Sequence, residues 1–322
     1  MKLPVYYCNI DNFGDKLNEE IFKLFFNKNI KFENIDKAII VGIGSLLDSI
    51  LYDKNDTQYI NKPIYIFSSG FGFEEGGFFH NPNIILPEKF KIEVVPIALR
   101  GKLTKMRVEK IMNKKLNCIL GDAGLLSNLL IDKNNVAKKY SVGIVPHFAD
   151  FNDDIWNDIN SFIPNSIILD AKKTPKEFLR DLCECESVIS SAMHPLIACD
   201  ALGIPNLWVR ISEETTSRYK FADYYSIYNL ENIKPFDLKS DFSKINKNFI
   251  KSNYRIDNNI VKSTQKELIS SIKNFKNKIL CRVLLYYLQK NLKIFLQNIF
   301  SVKNSYDKKR KVIKILGLKI TI

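Results

Sequence analysis

Apolar runs of four to six residues alternate along the first two-thirds of the chain with segments of helical period. Val5–Asn9 is a short apolar run broken at Asn12-Phe13-Gly14-Asp15, and residues 16–27 follow with helical spacing. Ala38-Ile39-Ile40-Val41 runs into Gly42-Ile43-Gly44-Ser45, and Ile64-Tyr65-Ile66-Phe67 into Ser68-Ser69-Gly70-Phe71-Gly72. Val94–Leu99 ends at Arg100-Gly101 and opens a helix near Lys102–Met112, and Cys118–Leu120 ends at Gly121-Asp122-Ala123-Gly124. The scheme repeats beyond a polar stretch, Asp132–Lys139. Val142–Val145 ends in Pro146-His147-Phe148, and Ile167–Leu169 in Asp170. A helix is predicted near Thr174–Glu184. Val188-Ile189 ends in Ser190-Ser191-Ala192-Met193-His194, and Leu207–Val209 in Arg210. Continuous apolar strands followed by glycine-rich or polar turns and then helices predict parallel, doubly wound sheets.

The fold class expected is therefore α/β, with two Rossmann-like parallel-sheet domains facing a cleft in the GT-B manner. The predicted bounds are 1–135 for the first domain, 136–256 for the second with its connector, and 257–322 for a helical basic tail. Residues 228–256 are polar, rich in Asn and weakly patterned, and read as connector. Ligands in such sheets bind at the carboxyl ends of the strands, where the glycines and polar residues of this chain collect.

Charge changes the picture only at the end of the chain. Of the formal +13, the stretch from Lys273 to Ile322 carries +12, with thirteen Lys and Arg against Asp307 alone. Within it, 279–300 is dominated by Leu, Ile, Val, Phe and Tyr, with most of its polar positions on one helical face. A cationic amphipathic helix with aromatic residues suits an anionic membrane surface, so residues 273–322 are read as an interfacial anchor. The body is near neutral and shows no nucleic-acid motif, so no nucleic-acid partner is expected. The N-terminus lacks the pattern of a signal peptide and no stretch approaches a spanning helix, which predicts a cytoplasmic protein peripheral to the inner face of the membrane. The six cysteines show no zinc or redox spacing and read as small buried or half-buried thiols.

Candidate chemistry lies at the predicted strand ends. His194 is expected at a strand–helix junction, where a helix N-terminus draws anions and disfavours the imidazolium until one arrives. Arg100 ends a buried strand, and its planar fork suits a carboxylate or phosphate. His147 and Arg210 end strands in the second half. Asp15, Asp122, Lys220 and Asp223 read equally well as cleft residues or as caps. His80, in an aromatic loop, reads mainly as packing. Gly42-Ile43-Gly44 and Ser69-Gly70-Phe71-Gly72 are incomplete phosphate fingerprints. No metal-ligand cluster is visible, and none is expected.

These segments, in this order, resemble the polysaccharide pyruvyl transferase family over roughly residues 5–227. Asn12-Phe13-Gly14-Asp15-Lys16-Leu17-Asn18 is similar to its Asn-x-Gly-Asp-x-Leu-Asn signature, and Arg100-Gly101-Lys102-Leu103-Thr104 to its Arg-Gly-x-x-Thr motif. Ala192-Met193-His194-Pro195 through Asp200-Ala201 resembles its Ala-Met-His-Gly-x-Ile-x-Ala-Asp-Ala segment, and Lys220–Tyr225 the motif that follows. Pro195 stands where the family usually has Gly, and Ala192 where many members carry Arg. The resemblance implies transfer of a pyruvyl group from phosphoenolpyruvate, a co-substrate and not a cofactor, to a sugar diol of a surface polysaccharide or its lipid-linked precursor. Taken with the strand-end positions, it makes His194 and Arg100 the catalytic candidates, and Asn12, Asp15, Ser45, Ser69, Gly70, Asp122, His147, Arg210 and Lys220 the candidate substrate contacts. A glycosyltransferase using a nucleotide sugar, and a non-catalytic membrane scaffold, are the alternative readings.

Overall fold

The computed structural model describes residues 1–52, 63–74, 90–211, 217–304, 311–315 and 318–321. His80 lies outside them, as do Lys308, Lys309 and Arg310 of the basic tail. The chain divides into two compact units, Lys2–Lys276 and, with Met1, Asn277–Ile322.

The larger unit holds two parallel sheets. In the first, β1 (Leu3–Tyr6), β2 (Ile30–Phe32), β3 (Ile40–Val41), β4 (Ile64–Ser69), β5 (Val94–Leu99) and β6 (Ile119–Leu120) lie in the order β2-β1-β3-β4-β5-β6. In the second, β7 (Tyr140–Val145), β8 (Ser166–Ile168), β9 (Cys185–Ser190), β10 (Asn206–Arg210) and β11 (Phe236–Asp237) lie in the order β11-β10-β9-β7-β8. All neighbours in both sheets pair parallel. The central strand β4 is buried along its whole length, which is why its sequence is a continuous apolar run and not an alternating one. Winding reverses between β1 and β3 in the first sheet and between β7 and β9 in the second. In open α/β sheets, switch points of this kind are where the strand-end loops diverge.

The helices are α1 (Phe13–Phe26), α2 (Leu47–Tyr52), α3 (Lys102–Met112), α4 (Ile155–Phe162), α5 (Pro175–Cys183), α6 (Met193–Leu202), α7 (Arg218–Tyr225), α8 (Leu238–Asp241), α9 (Lys247–Asn253) and α10 (Asn258–Ile299). Helix α1 begins at Phe13, inside the segment read as a break, and buries Phe13, Leu17, Ile21 and Phe22 at helical spacing. It stops at Asn27, whose left-handed backbone (φ 50°) returns its N–H to Lys23. In the second half, Val142, Ile144, Ile189 and Val209 of the sheet pack with Trp156 and Ile159 of α4, Leu238 of α8 and Ile250 of α9. Residues 228–256 are therefore not simple connector. They supply an edge strand and two helices, because the few apolar residues in that polar stretch are spaced to reach the core. Trp208 stacks on Phe221 of α7 at 4.1 Å between ring centres, nearly parallel at 7°.

Cys183, Cys185 and Cys199 are buried and Cys118 is half-buried. Cys8 and Cys281 are exposed, which corrects the reading of all six as buried or half-buried; each has a polar neighbour, Asn9 and Arg282.

Helix α10 leaves the larger unit and continues into the smaller one. The tail is not helical throughout. Beyond Ile299 the chain forms an antiparallel sheet of β12 (Phe300–Asn304), β13 (Lys311–Ile315) and β14 (Leu318–Thr321). Val312-Ile313-Lys314-Ile315 and Leu318-Lys319-Ile320-Thr321 are rich in β-branched residues, which favours strands over a continued helix. Among the described residues, no helix is long and apolar enough to cross a membrane.

Candidate active site

Both switch points carry polar side chains. Asn12 and Asp15 follow β1, Ser45 follows β3, His147 follows β7, and His194 follows β9. Helix α6 starts at Met193, so His194 sits in its first turn and not before it. Pro195 is tolerated there because first-turn N–H groups have no partner within the helix.

The His194 Nε2 atom lies 4.0 Å from Asp122 Oδ2. Both atoms are buried and neither has a hydrogen-bond partner. The other carboxylate oxygen of Asp122 accepts from the Gly124 N–H at 2.8 Å, fixing the side chain as a cap of the turn that follows β6. The opposite side of the imidazole rests on helix α1. A Cβ placed on Gly14 would come within 2.1 Å of His194 Nδ1, so only glycine lets α1 approach this closely. Burial and the charges of Lys220 and Arg100 push the His194 pKa down to about 3, while burial raises Asp122 to about 6. At neutral pH His194 is thus a neutral imidazole facing a carboxylate, in a positive field that an anionic ligand would cancel.

Lys220, in the first turn of α7, is held low at about 8 by burial and by Arg100. Asp15 is pushed up to about 7 by burial, opposed by the Asn12 side chain, which donates to Asp15 Oδ2 at 3.2 Å, and by the charge of Lys220. His147 is pushed down to about 3, first by burial and then by Lys220. Its Nδ1 accepts from the Ala149 N–H at 3.2 Å, which leaves the proton of the neutral ring on Nε2. Ser191 positions this loop, accepting from the His147 N–H at 2.8 Å and donating to Asp150 at 3.2 Å.

Arg100 is wholly buried, and its fork is not left open as the sequence suggested. Nε pairs with Asp223 Oδ2 at 2.9 Å, one terminal nitrogen donates to Ser45 Oγ at 2.8 Å, and the other to the Phe71 carbonyl. A buried guanidinium requires a counter-charge, and Asp223, reached from α7, supplies it. Asp223 also accepts from Thr104 N–H at 2.8 Å and Thr104 Oγ at 2.6 Å. This accounts for the Arg-Gly-x-x-Thr pattern. Arginine and threonine clamp one carboxylate, and the glycine between them makes room, since a Cβ on Gly101 would lie 1.8 Å from the Asp223 carbonyl oxygen. Gly70 packs on the guanidinium for a like reason, and Ser69 donates to the Gly44 carbonyl at 2.9 Å. Asp223 is the residue that sequence reading weighed and did not choose. Its signal was its place three residues after Lys220, at helical spacing.

His194, Asp122, Arg100, Lys220, Asp15 and His147 are thus brought together, each felt electrostatically by another member of the group. Arg210 is directed elsewhere. It pairs with Asp237 on the edge strand β11 at 3.3 Å. Beside the cluster is a cavity of about 410 Å³ lined by Asn12, His147 and Ala192 together with Phe148, Phe151 and Asp170.

Two parallel sheets that gather a buried imidazole, carboxylates and cations at the carboxyl ends of their strands define the chain as an α/β protein with its polar groups where such sheets bind ligands. The sequence profile of the polysaccharide pyruvyl transferase family matches residues 4–213, spanning both sheets to the end of β10, and the chain belongs to that family. It is 25% identical over 214 residues to the succinoglycan biosynthesis protein ExoV of Rhizobium meliloti (strain 1021), covering 66% of this chain and 60% of that relative. It is 30% identical over 143 residues to the uncharacterized protein L143 of Acanthamoeba polyphaga mimivirus, covering 41% of this chain and 48% of that one. The chain thus spans between about half and three-fifths of the length of these relatives.

Proposed function

We propose that the protein transfers a pyruvyl group from phosphoenolpyruvate to a sugar diol of a surface polysaccharide or of its lipid-linked precursor. The observation that carries this reading is the unpartnered pair of His194 Nε2 and Asp122 Oδ2, buried 4.0 Å apart within reach of the fields of Arg100 and Lys220. Membership of the family and the similarity to ExoV favour pyruvyl transfer over a nucleotide-sugar reaction.

The chemistry needs a proton for the enol methylene, a cationic seat for carboxylate and phosphate, and a base for the sugar hydroxyl. Arg100, locked by Asp223, supplies fixed positive potential, and Lys220 supplies the more approachable cation. Arrival of the anionic donor offsets those charges and raises the His194 pKa, so the imidazole takes up a proton that Asp122 stabilises. His194 passes that proton to the methylene carbon. A sugar hydroxyl attacks the central carbon, losing its proton to Asp15. Phosphate leaves with the bridging oxygen as the C–O bond breaks, taking the proton held by Asp15, and a second hydroxyl closes the cyclic ketal, returning its proton to His194. Phosphate and the ketal then account for every atom of the two substrates.

Donor titration followed by thermal shift tests the reading. Phosphoenolpyruvate is expected to raise the melting temperature in a concentration-dependent way. His194→Ala is expected to keep much of that shift and to lose transfer, measured as phosphate release and as mass gain of the acceptor. Stabilisation by nucleotide sugars and not by phosphoenolpyruvate would point to glycosyl transfer instead.

The basic tail is proposed to hold the enzyme at an anionic membrane surface, which brings it to a lipid-linked acceptor. Leu284, Leu285, Leu288, Leu292, Phe295 and Leu296 are all exposed, and their spacing sets them along one side of α10. Such a stripe among Lys and Arg is the composition of an interfacial helix.

A further inference from the structure

The catalytic cluster accounts for the donor but leaves the second substrate without a seat. The cavity beside it has features that the mechanism does not use. Phe148 and Phe151 line it while remaining 62% and 43% exposed, and Ile10, 45% exposed, lines it from the first half. A single exposed apolar residue is ordinary, but three converging on one concave site are not explained by packing. Phe148 lies against the His147 ring at 4.3 Å between ring centres. Lys172 Nζ stands 6.0 Å from the centre of the Phe151 ring. The two phenylalanines lie on the turn that follows β7, one strand-end loop from His194. The rim is polar, with Asn12, Asn152 and Asp170.

We infer that this cavity is the acceptor subsite and that it takes a neutral pyranose ring, stacked on Phe148 and Phe151. The inference rests on the pyruvyl-transfer reading. A pyranose presents an apolar, weakly positive C–H face and a belt of hydroxyls. The negative face of an aromatic ring suits the first, and carboxylate, amide and imidazole groups on the rim suit the second. The cavity's about 410 Å³ falls within the about 300–1,000 Å³ usual for small-molecule sites. Position supports the assignment too. Asn12, which lines the cavity, hydrogen-bonds Asp15, the proposed base, and Ala192, which also lines it, is two residues before His194.

The test is saturation-transfer NMR on the full chain with methyl glycosides of glucose, galactose, mannose and N-acetylmannosamine, alongside thermal shift with phosphoenolpyruvate. Ring C–H protons of at least one glycoside should receive saturation. Phe148→Ala and Phe151→Ala should each weaken that binding by about 3- to 10-fold, as loss of one aromatic contact does, and leave the phosphoenolpyruvate shift unchanged. The inference is overturned if no glycoside binds the wild type at millimolar concentration, or if binding ignores both substitutions. It is equally overturned if uridine monophosphate displaces the glycoside. Failure of phosphoenolpyruvate to bind, with the glycoside still dependent on both rings, would sink the transfer reaction and keep the saccharide site.

Discussion

On the proposed mechanism, the single carboxylate of Asp122 decides the acid side of the pH profile. Burial raises it to about 6, so it gains a proton as the pH falls through that value. A protonated Asp122 no longer stabilises the imidazolium of His194. Activity is therefore expected to fall on the acid side with an apparent pKa near 6 in kcat/KM, which reports the ligand-free enzyme, and Asp122→Asn should lower kcat/KM and remove that limb. An acid limb that survives in the variant would assign it to another group, with Asp15, pushed up to about 7, the next to test. Asp223 acts at one remove. Its carboxylate balances a guanidinium that has no access to solvent, and removing half of such a pair costs about 3–5 kcal/mol. Asp223→Asn should lower the urea midpoint accordingly. The loss in an Arg100→Met, Asp223→Asn double variant should fall short of the sum of the single losses, since the two groups share one interaction.

At the scale of the elements, the strand–turn–helix rhythm was legible because buried parallel strands leave unbroken apolar runs and their ends collect glycine and polar residues. The positions of His194, His147, Asp15 and Asp122 at those ends follow from the same rhythm. What the sequence could not give was pairing across elements. Arg100 and Asp223 are 123 residues apart, and a lone arginine at a strand end reads as free until its counter-charge is found. Arg210 looked equivalent by position but faces an edge strand built from residues taken for connector. The tail strands were missed because a helical pattern before Ile299 was extended past its physical end. The Asn-x-Gly-Asp motif was legible as a motif but not as a cause. Helix α1 meets His194 through Gly14, and a methyl group there would displace the imidazole from Asp122. Gly14→Ala is expected to lose at least tenfold in kcat while circular dichroism stays that of the wild type. A variant with full turnover would show that the contact between α1 and the imidazole does not set its position.

For the molecule as a whole, the uneven charge makes a prediction that its body alone does not. The stretch from Lys273 carries nearly all of the net charge, and the exposed leucines and Phe295 of α10 add apolar area to it. Each well-placed cation adds about 1 kcal/mol of attraction to an anionic surface, and salt screens it. Apolar insertion is far less sensitive to salt. The full chain should therefore float with vesicles containing phosphatidylglycerol and stay behind with vesicles of phosphatidylcholine alone. Molar salt should weaken the association in part. Leu288→Asn with Leu292→Asn leaves the charge of the tail unchanged, and should reduce flotation at high salt more than at low salt, because only the charge-driven share remains. Equal flotation of this double variant at molar salt would rule out insertion of the stripe, and equal binding to both vesicle types would rule out the charge.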